Sequence, residues 1–305
     1  MLMNEKELVQ EIQRLKEEKN ALILAHNYQI PEIQAVADIL GDSLKLSIEA
    51  AKTDKDIIVF CGVKFMAESA KLLSPDKKVL LPALDAGCPM ADMQDAEALK
   101  EMKKEYPGVP VVTYVNSNTD VKAETDICCT SSNAVNVVKS LDSDRVIFGP
   151  DKNLGSYVQQ FVEDKEIILW NGFCPTHEAV RSEEVVKVKL KNPGVKILVH
   201  PEANPSVVEL ADFVGSTSQM INYVKENDDE KFIIGTEMGI LNIMFKENPN
   251  KDFKLLSPKL ICVNMKKTNL KSLYDALNEE KHEITIDEDI REKAKRSLDK
   301  MIKIN

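Results

Sequence analysis

Three of the six cysteines in this 305-residue chain, Cys88, Cys174 and Cys262, stand 86 and 88 residues apart (174 − 88 and 262 − 174). Two of them open Cys-Pro pairs, and His177 follows Cys174 by three positions. Such a spacing suggests a triplicated unit, and the thiols admit three chemistries. Iron–sulfur clusters are held by thiolates, usually four, so three protein thiolates on a cubane leave one iron open to act as a Lewis acid on a substrate hydroxyl or carboxylate. Zinc held by the three cysteines and His177 is the second reading, and free thiols that merely pack is the third. Cys61, Cys128 and Cys129 lack thiol counterparts at the repeat positions and read as packing residues.

The repeat extends to other residues. Ala37-Asp38-Ile39-Leu40-Gly41-Asp42-Ser43 is matched 88 residues later by Thr125-Asp126-Ile127-Cys128-Cys129-Thr130-Ser131, and 86 further on by Ala211-Asp212-Phe213-Val214-Gly215-Ser216-Thr217. The same offsets align His26 with Tyr114 and His200, and, two residues on, Tyr28 with Asn116 and Glu202. Ser43, Ser131 and Thr217 form a hydroxyl set. Singly, each such residue reads as a turn cap or a satisfied polar group. As rings in one register they imply a shared central cavity, with the cysteines as a further layer.

The elements that must position these rings follow from hydrophobic patterning. Residues 4 to 18 place Leu8, Ile12 and Leu15 on one helical stripe behind an Asn4/Glu7 capping box. Ala21 to Ala25 is a wholly apolar run of the doubly buried strand type, and Pro31 opens a helix with Ile33, Val36, Ala37 and Leu40 on its core face. Second strands are expected at Ile57 to Phe60, Val146 to Phe148 and Phe232 to Ile234, running into Gly62, Gly149 and Gly235. Third apolar runs are Val79 to Leu81, Ile167 to Trp170 and Leu260 to Cys262. The pattern predicts an α/β fold: three β/α units, each a small parallel sheet covered by helices in three αβα layers, related by a pseudo-threefold axis around a central active site. The units are expected at 1–106 with the N-terminal helix, 107–192, and 193–305, with Ile290, Ala294, Leu298 and Met301 marking a packing helix near the end. Tyr106-Pro107-Gly108 and Asn192-Pro193-Gly194 punctuate the boundaries. Since ligands of parallel α/β units bind at the carboxyl ends of strands, the rings sit where chemistry is expected.

With 43% hydrophobic and 30% charged residues, no long apolar run and no secretory pattern, the composition is that of a globular protein of the cytoplasm. A formal charge of −10 argues against nucleic acid or an anionic membrane as partner. Six cysteines in a reducing compartment point to free, catalytic or metal-bound thiols rather than disulfides.

From about Ala21 to Met265 the chain resembles the quinolinate synthase (NadA) family. The segments that carry the likeness are A-H-N-Y (25–28), G-D-S (41–43), D-A-G-C-P-M (85–90), V-T-Y-V-N-S-N (112–118), C-C-T-S-S-N-A (128–134), W-N-G-F-C-P-T-H (170–177), V-H-P-E (199–202) and G-S-T-S (215–218). The resemblance implies a [4Fe-4S] cluster on Cys88, Cys174 and Cys262 with the fourth iron open to substrate. It also implies condensation of iminoaspartate (iminosuccinate) with dihydroxyacetone phosphate to quinolinate, with loss of phosphate and water, in de novo NAD biosynthesis. Carried over by position, the dicarboxylate site comprises His26, Ser43, Tyr114, Asn116, Ser131, His200 and Thr217. Tyr28 and Glu202 are candidates for proton transfer, Glu202 as base and His26 or Tyr28 as acid. A functional link to an enzyme that supplies iminoaspartate is a further implication. Some relatives carry an extra Cys-x-x-Cys near the last ligand; here Cys262 is followed by Val263-Asn264-Met265, so no redox switch of that kind is expected. The competing readings are a cluster-dependent hydro-lyase on another hydroxy acid and a non-catalytic dicarboxylate-binding protein.

Overall fold

The computed structural model describes residues 3–304. Among the described residues, twelve strands form three sheets. The first unit contains β1 (Ala21–His26), β2 (Ile39–Gly41), β3 (Ile57–Cys61) and β4 (Lys78–Leu80). The second contains β5 (Val111–Tyr114), β6 (Ile127–Cys129), β7 (Arg145–Gly149) and β8 (Glu166–Leu169). The third contains β9 (Lys196–Val199), β10 (Phe213–Val214), β11 (Lys231–Gly235) and β12 (Asp252–Leu255). The spatial orders are β2-β1-β3-β4, β6-β5-β7-β8 and β10-β9-β11-β12, every pairing is parallel, and helices join successive strands. This is the expected α/β architecture of three like units.

Each sheet has four strands where the patterning indicated three. The segments around Ile39, Ile127 and Phe213, expected as helix tails, are the edge strands β2, β6 and β10. The first of the preceding helices stops at Val36, with Ala37 extended at φ −71°, ψ 141°, so Ala37 and Leu40 lie beyond it. One repeated interaction accounts for the change. The carboxylates of Asp38, Asp126 and Asp212 accept the backbone N–H of Ile23, Val111 and Ile197 at 2.9, 2.8 and 2.9 Å. A side-chain acceptor for a strand N–H offers the backbone an alternative to helix and pins the edge strand in register. The last expected strand is also displaced: β12 is Asp252–Leu255, with Phe253 buried and Asp252 and Lys254 exposed, while Leu260–Cys262 is irregular. A one-sided edge strand carries too few apolar residues to register as a run.

Gly108 and Gly194 close the two Pro-Gly turns at φ +79° and +80°, a conformation open to glycine without a Cβ penalty. The N-terminal helix, Glu5–Glu18, has the Asn4/Glu7 capping box and buries Leu8, Ile12 and Leu15. The helix Glu288–Met301 buries Ala294, Leu298 and Met301 in an apolar cluster that also holds Leu24, Val112 and Leu198 from the three sheets. It packs on the helices Lys64–Leu73 and Thr119–Ala123 of the first and second units, so the end of the chain straps two units together. Among the described residues no helix is long and apolar enough to cross a membrane.

Asp126→Ala removes one clamp without disturbing an ion pair of that side chain, and is expected to cost about 1 kcal/mol, read as a lower urea midpoint at unchanged slope. Asp126→Asn, which keeps an acceptor oxygen, should recover most of it.

Candidate active site

The carboxyl ends of the three sheets open on one cavity of about 330 Å³. Its wall includes the ring His26, Tyr114 and His200, the ring Tyr28, Asn116 and Glu202, the hydroxyls of Ser43, Ser131 and Thr217, and all three repeat cysteines, Cys88, Cys174 and Cys262. Val63, Phe65 and Met66 supply an apolar side. Each sequence-derived candidate therefore reaches the same space.

Each cysteine is presented in the same way. The residue after the turn at the end of β3, β7 or β11 donates its backbone N–H to the loop two residues before the thiol: Lys64 to Ala86 O at 2.8 Å, Lys152 to Gly172 O at 2.9 Å, Met238 to Leu260 O at 2.9 Å. After each thiol the chain makes a helical turn, Ala91–Met93, Pro175–Glu178 or Asn264–Lys266. Backbone N–H groups of that turn act on the sulfur: Ala91 and Met90 on Cys88, His177 on Cys174, Met265 and Asn264 on Cys262. Burial raises all three thiols above their ordinary range, Cys88 to about 12, and the N–H contacts only partly oppose it. At neutral pH the metal-free groups are thus thiols, and a metal centre would release their protons on binding. Three sulfurs served by N–H donors on one cavity fit a metal–sulfur centre. Cys61, Cys128 and Cys129 are buried away from it in the core.

A second cluster surrounds Glu202. Its carboxylate accepts the Tyr114 hydroxyl at 2.6 Å and faces His177 Nδ1 at 2.8 Å and His200 Nδ1 at 3.8 Å. His177 Nε2 lies 2.8 Å from Thr236 Oγ1, which lies 2.5 Å from the Tyr28 hydroxyl. With Nδ1–H donated to Glu202, Nε2 accepts the Thr236 hydroxyl and Thr236 accepts that of Tyr28. The result is an unbroken chain from Tyr28 to Tyr114 through Thr236, His177 and Glu202. Burial opposes the Glu202 charge, but the imidazoles of His200 and His177 and the hydrogen bonds from His177 and Tyr114 outweigh it and hold the carboxyl below its ordinary value. Cys174 Sγ is 3.2 Å from His177 Nδ1, and Cys174, His177 and Glu202 bring three donor atoms within 4.8 Å of one another. Both His177 nitrogens are engaged in the chain, so this imidazole serves the polar network first.

His26 and His200 are held as the same tautomer. Two residues on, the backbone N–H of Tyr28 donates to His26 Nδ1 at 3.1 Å, and that of Glu202 to His200 Nδ1 at 3.3 Å. The proton therefore resides on Nε2, the nitrogen left for a ligand. Burial lowers both to about 4, so each is a neutral N–H donor at pH 7. The hydroxyl ring lies at helix starts. Asp42 and Ser216 are the caps, Ser43 and Thr217 are the first residues of ten-residue helices, and Ser131 sits in the turn before Ala134–Lys139. Ser132 Oγ, 2.9 Å from Asp42 Oδ2 and 2.8 Å from Ser216 Oγ, ties the three starts together. Exposed N–H groups and the helix dipole make such ends anion sites. Asn116 Oδ1 is buried without a protein partner.

Residues 10–303 match the family model described as NadA, quinolinate synthetase A protein. The chain belongs to the quinolinate synthetase A family. Among the curated relatives, the quinolinate synthase of Alkaliphilus metalliredigens is 65% identical over 99% of this chain and all of its own length. That of a Geobacter species is 57% identical over 99% of both chains, and that of Caldicellulosiruptor bescii 55% over 99% of this chain and all of its own. In this member of the quinolinate synthetase A family, the patterning did not mark Thr236 or Glu237, and it placed Asp42 in a repeated segment without giving it a role. Thr236 and Glu237 follow Gly235 directly, and the offsets of 88 and 86 that aligned His26, Tyr114 and His200 would also have aligned Val63, Asp151 and Glu237.

For a histidine with a depressed folded value, the unfolded chain binds more protons between the two values, so stability is lost as pH falls from 6.5 towards 4. His26→Gln should remove at most about 3 kcal/mol of that loss, measured as the urea midpoint of metal-free protein at each pH.

Proposed function

We propose that the chain is a quinolinate synthase that condenses iminoaspartate (iminosuccinate) with dihydroxyacetone phosphate to quinolinate, with loss of phosphate and water, in de novo NAD biosynthesis in the cytoplasm. The observation that carries the reading is the meeting of Cys88, Cys174 and Cys262 with the His26/Tyr114/His200 ring in one cavity of a chain of this family. Cys88, Cys174 and Cys262 would hold a [4Fe-4S] cluster, whose open iron supplies Lewis acidity towards a substrate carboxylate or hydroxyl when bound.

The protein's own groups account for the remainder. Both substrates are anionic, whereas the chain carries −10. Binding must therefore come from aimed donors rather than net charge. The Nε2–H groups of His26 and His200, the Asn116 amide, the hydroxyls of Ser43, Ser131 and Thr217 and the helix starts beside them provide those donors. Tyr114 stands against Glu202 and can follow a proton gained or lost there. Glu202, kept ionised, is the base, and Tyr28 the acid. Their link through Thr236 and His177 orients both groups, with each donor along it pointing towards Glu202. Val63, Phe65 and Met66 keep one wall dry, which strengthens the polar contacts opposite. An enzyme that releases iminoaspartate would be a functional neighbour, because an imine in water hydrolyses.

Anaerobically purified protein is expected to be brown, to contain iron and sulfide, and to form quinolinate from the two substrates. Cys88→Ala, Cys174→Ala and Cys262→Ala should each lose colour and product together. A colourless protein with full activity and stoichiometric zinc would sink the cluster assignment, and turnover of another hydroxy acid alone would favour a hydro-lyase. Tyr114→Phe and His200→Ala should keep the colour while kcat/KM falls roughly 100-fold or more. Unchanged kinetics in either would remove that residue from the site.

A further inference from the structure

The cysteine loops are held at a second point that repeats in only two of the three units. The offsets of 88 and 86 place Val63, Asp151 and Glu237 at one position, in the turn after β3, β7 and β11. Asp151 and Glu237 are both fully buried. In each, one carboxylate oxygen accepts the backbone N–H two residues on: Asn153 to Asp151 Oδ1 at 2.8 Å, Gly239 to Glu237 Oε2 at 2.7 Å. The second oxygens differ. Glu237 Oε1 accepts the backbone N–H of Cys262 at 3.2 Å. The Cys174 N–H favours the ionised Asp151 carboxylate, while Asp151 Oδ2 is buried with no hydrogen-bond partner among the described residues. Lys266 Nζ sits 2.9 Å from Glu237 and also donates to Tyr28 O, so Glu237 joins the Cys262 loop to the Tyr28 strand end.

We infer that Asp151 and Glu237 are paired positioning residues that fix the backbones of Cys174 and Cys262, while Cys88, opposite Val63, has no such carboxylate and keeps only the Lys64 bond to its loop. The bland alternatives are a simple helix cap for Asp151 and a simple ion pair for Glu237. The inference rests on the three-cysteine centre proposed above, but half of its test does not need the cluster.

In metal-free protein, iodoacetamide labelling of each thiol is followed by mass spectrometry. Glu237→Met is expected to speed labelling of Cys262 several-fold with Cys88 unchanged. Asp151→Ser, which retains a good helix cap but lacks the second oxygen, should do the same for Cys174 alone. Glu237→Gln, whose single amide oxygen can accept only one of the two N–H groups, should fall between Glu237→Met and the unmodified chain. After anaerobic loading with iron and sulfide, Glu237→Met and Asp151→Ser should lose iron to a chelator roughly tenfold faster. Equal labelling at the paired thiol or a uniform rise at all three thiols would overturn the inference. Should Asp151→Ser fail to fold by circular dichroism, the Glu237 pair of variants decides. An unmodified chain that takes up no iron or sulfide would instead refute the cluster, with the labelling result still deciding this point.

Discussion

The site depends on a short backbone hydrogen bond made three times, from the turn after the third strand of each unit to the loop that carries a cysteine. Parallel sheets place those turns on the same side of each unit, so the bond converts sheet register into the position of a sulfur. A side chain held through backbone contacts at both flanks loses little further freedom when it binds a ligand, which is how a scaffold pre-organises a metal-binding group. The helical turns after Cys88, Cys174 and Cys262 complete the arrangement by aiming N–H groups at the sulfur.

Against that frame the polar half of the cavity works with neutral groups. An acidic chain with the anionic substrates proposed above would gain little from buried cations, whose desolvation is costly unless paired. His26 and His200 avoid that cost. Burial keeps each imidazole neutral, and a backbone N–H fixes which nitrogen carries the proton. The charge within the polar network, on Glu202, is compensated by Tyr114 and His177 rather than by solvent. The rings depart from threefold symmetry: Tyr28, Asn116 and Glu202 occupy one repeat position, yet Tyr28 pairs with Thr236, Glu202 accepts from Tyr114, and Asn116 Oδ1 has no protein partner among the described residues.

Much of this was legible in the chain itself, because a repeat in sequence is a repeat in space when the units fold alike. The offsets brought Cys88 to Cys174 and Cys262, and His26 to Tyr114 and His200, with no knowledge of contacts. They also marked Asp38, Asp126 and Asp212, but not what those residues do. An aspartate before an apolar pair reads as the tail of a helix until the strand N–H it accepts is visible. The edge strand β12 escaped for a related reason, since its alternating D-F-K-L has one buried face.

The sequence by itself determined the number of units, the three sulfurs and the rings, since these depend on residue type and interval, which the chain states directly. Only the tertiary structure decided the tautomers of His26 and His200, the path from Tyr28 through Thr236 and His177 to Glu202, and the hold of Glu237 on Cys262. The contacts of Tyr28 with Thr236 and of His177 with Thr236 and Glu202 cross between units, and the others turn on the exact course of a strand end or a loop within one unit. Hydrogen bonds weaken steeply over tenths of an ångström and a few tens of degrees, a precision that spacing along a chain does not encode.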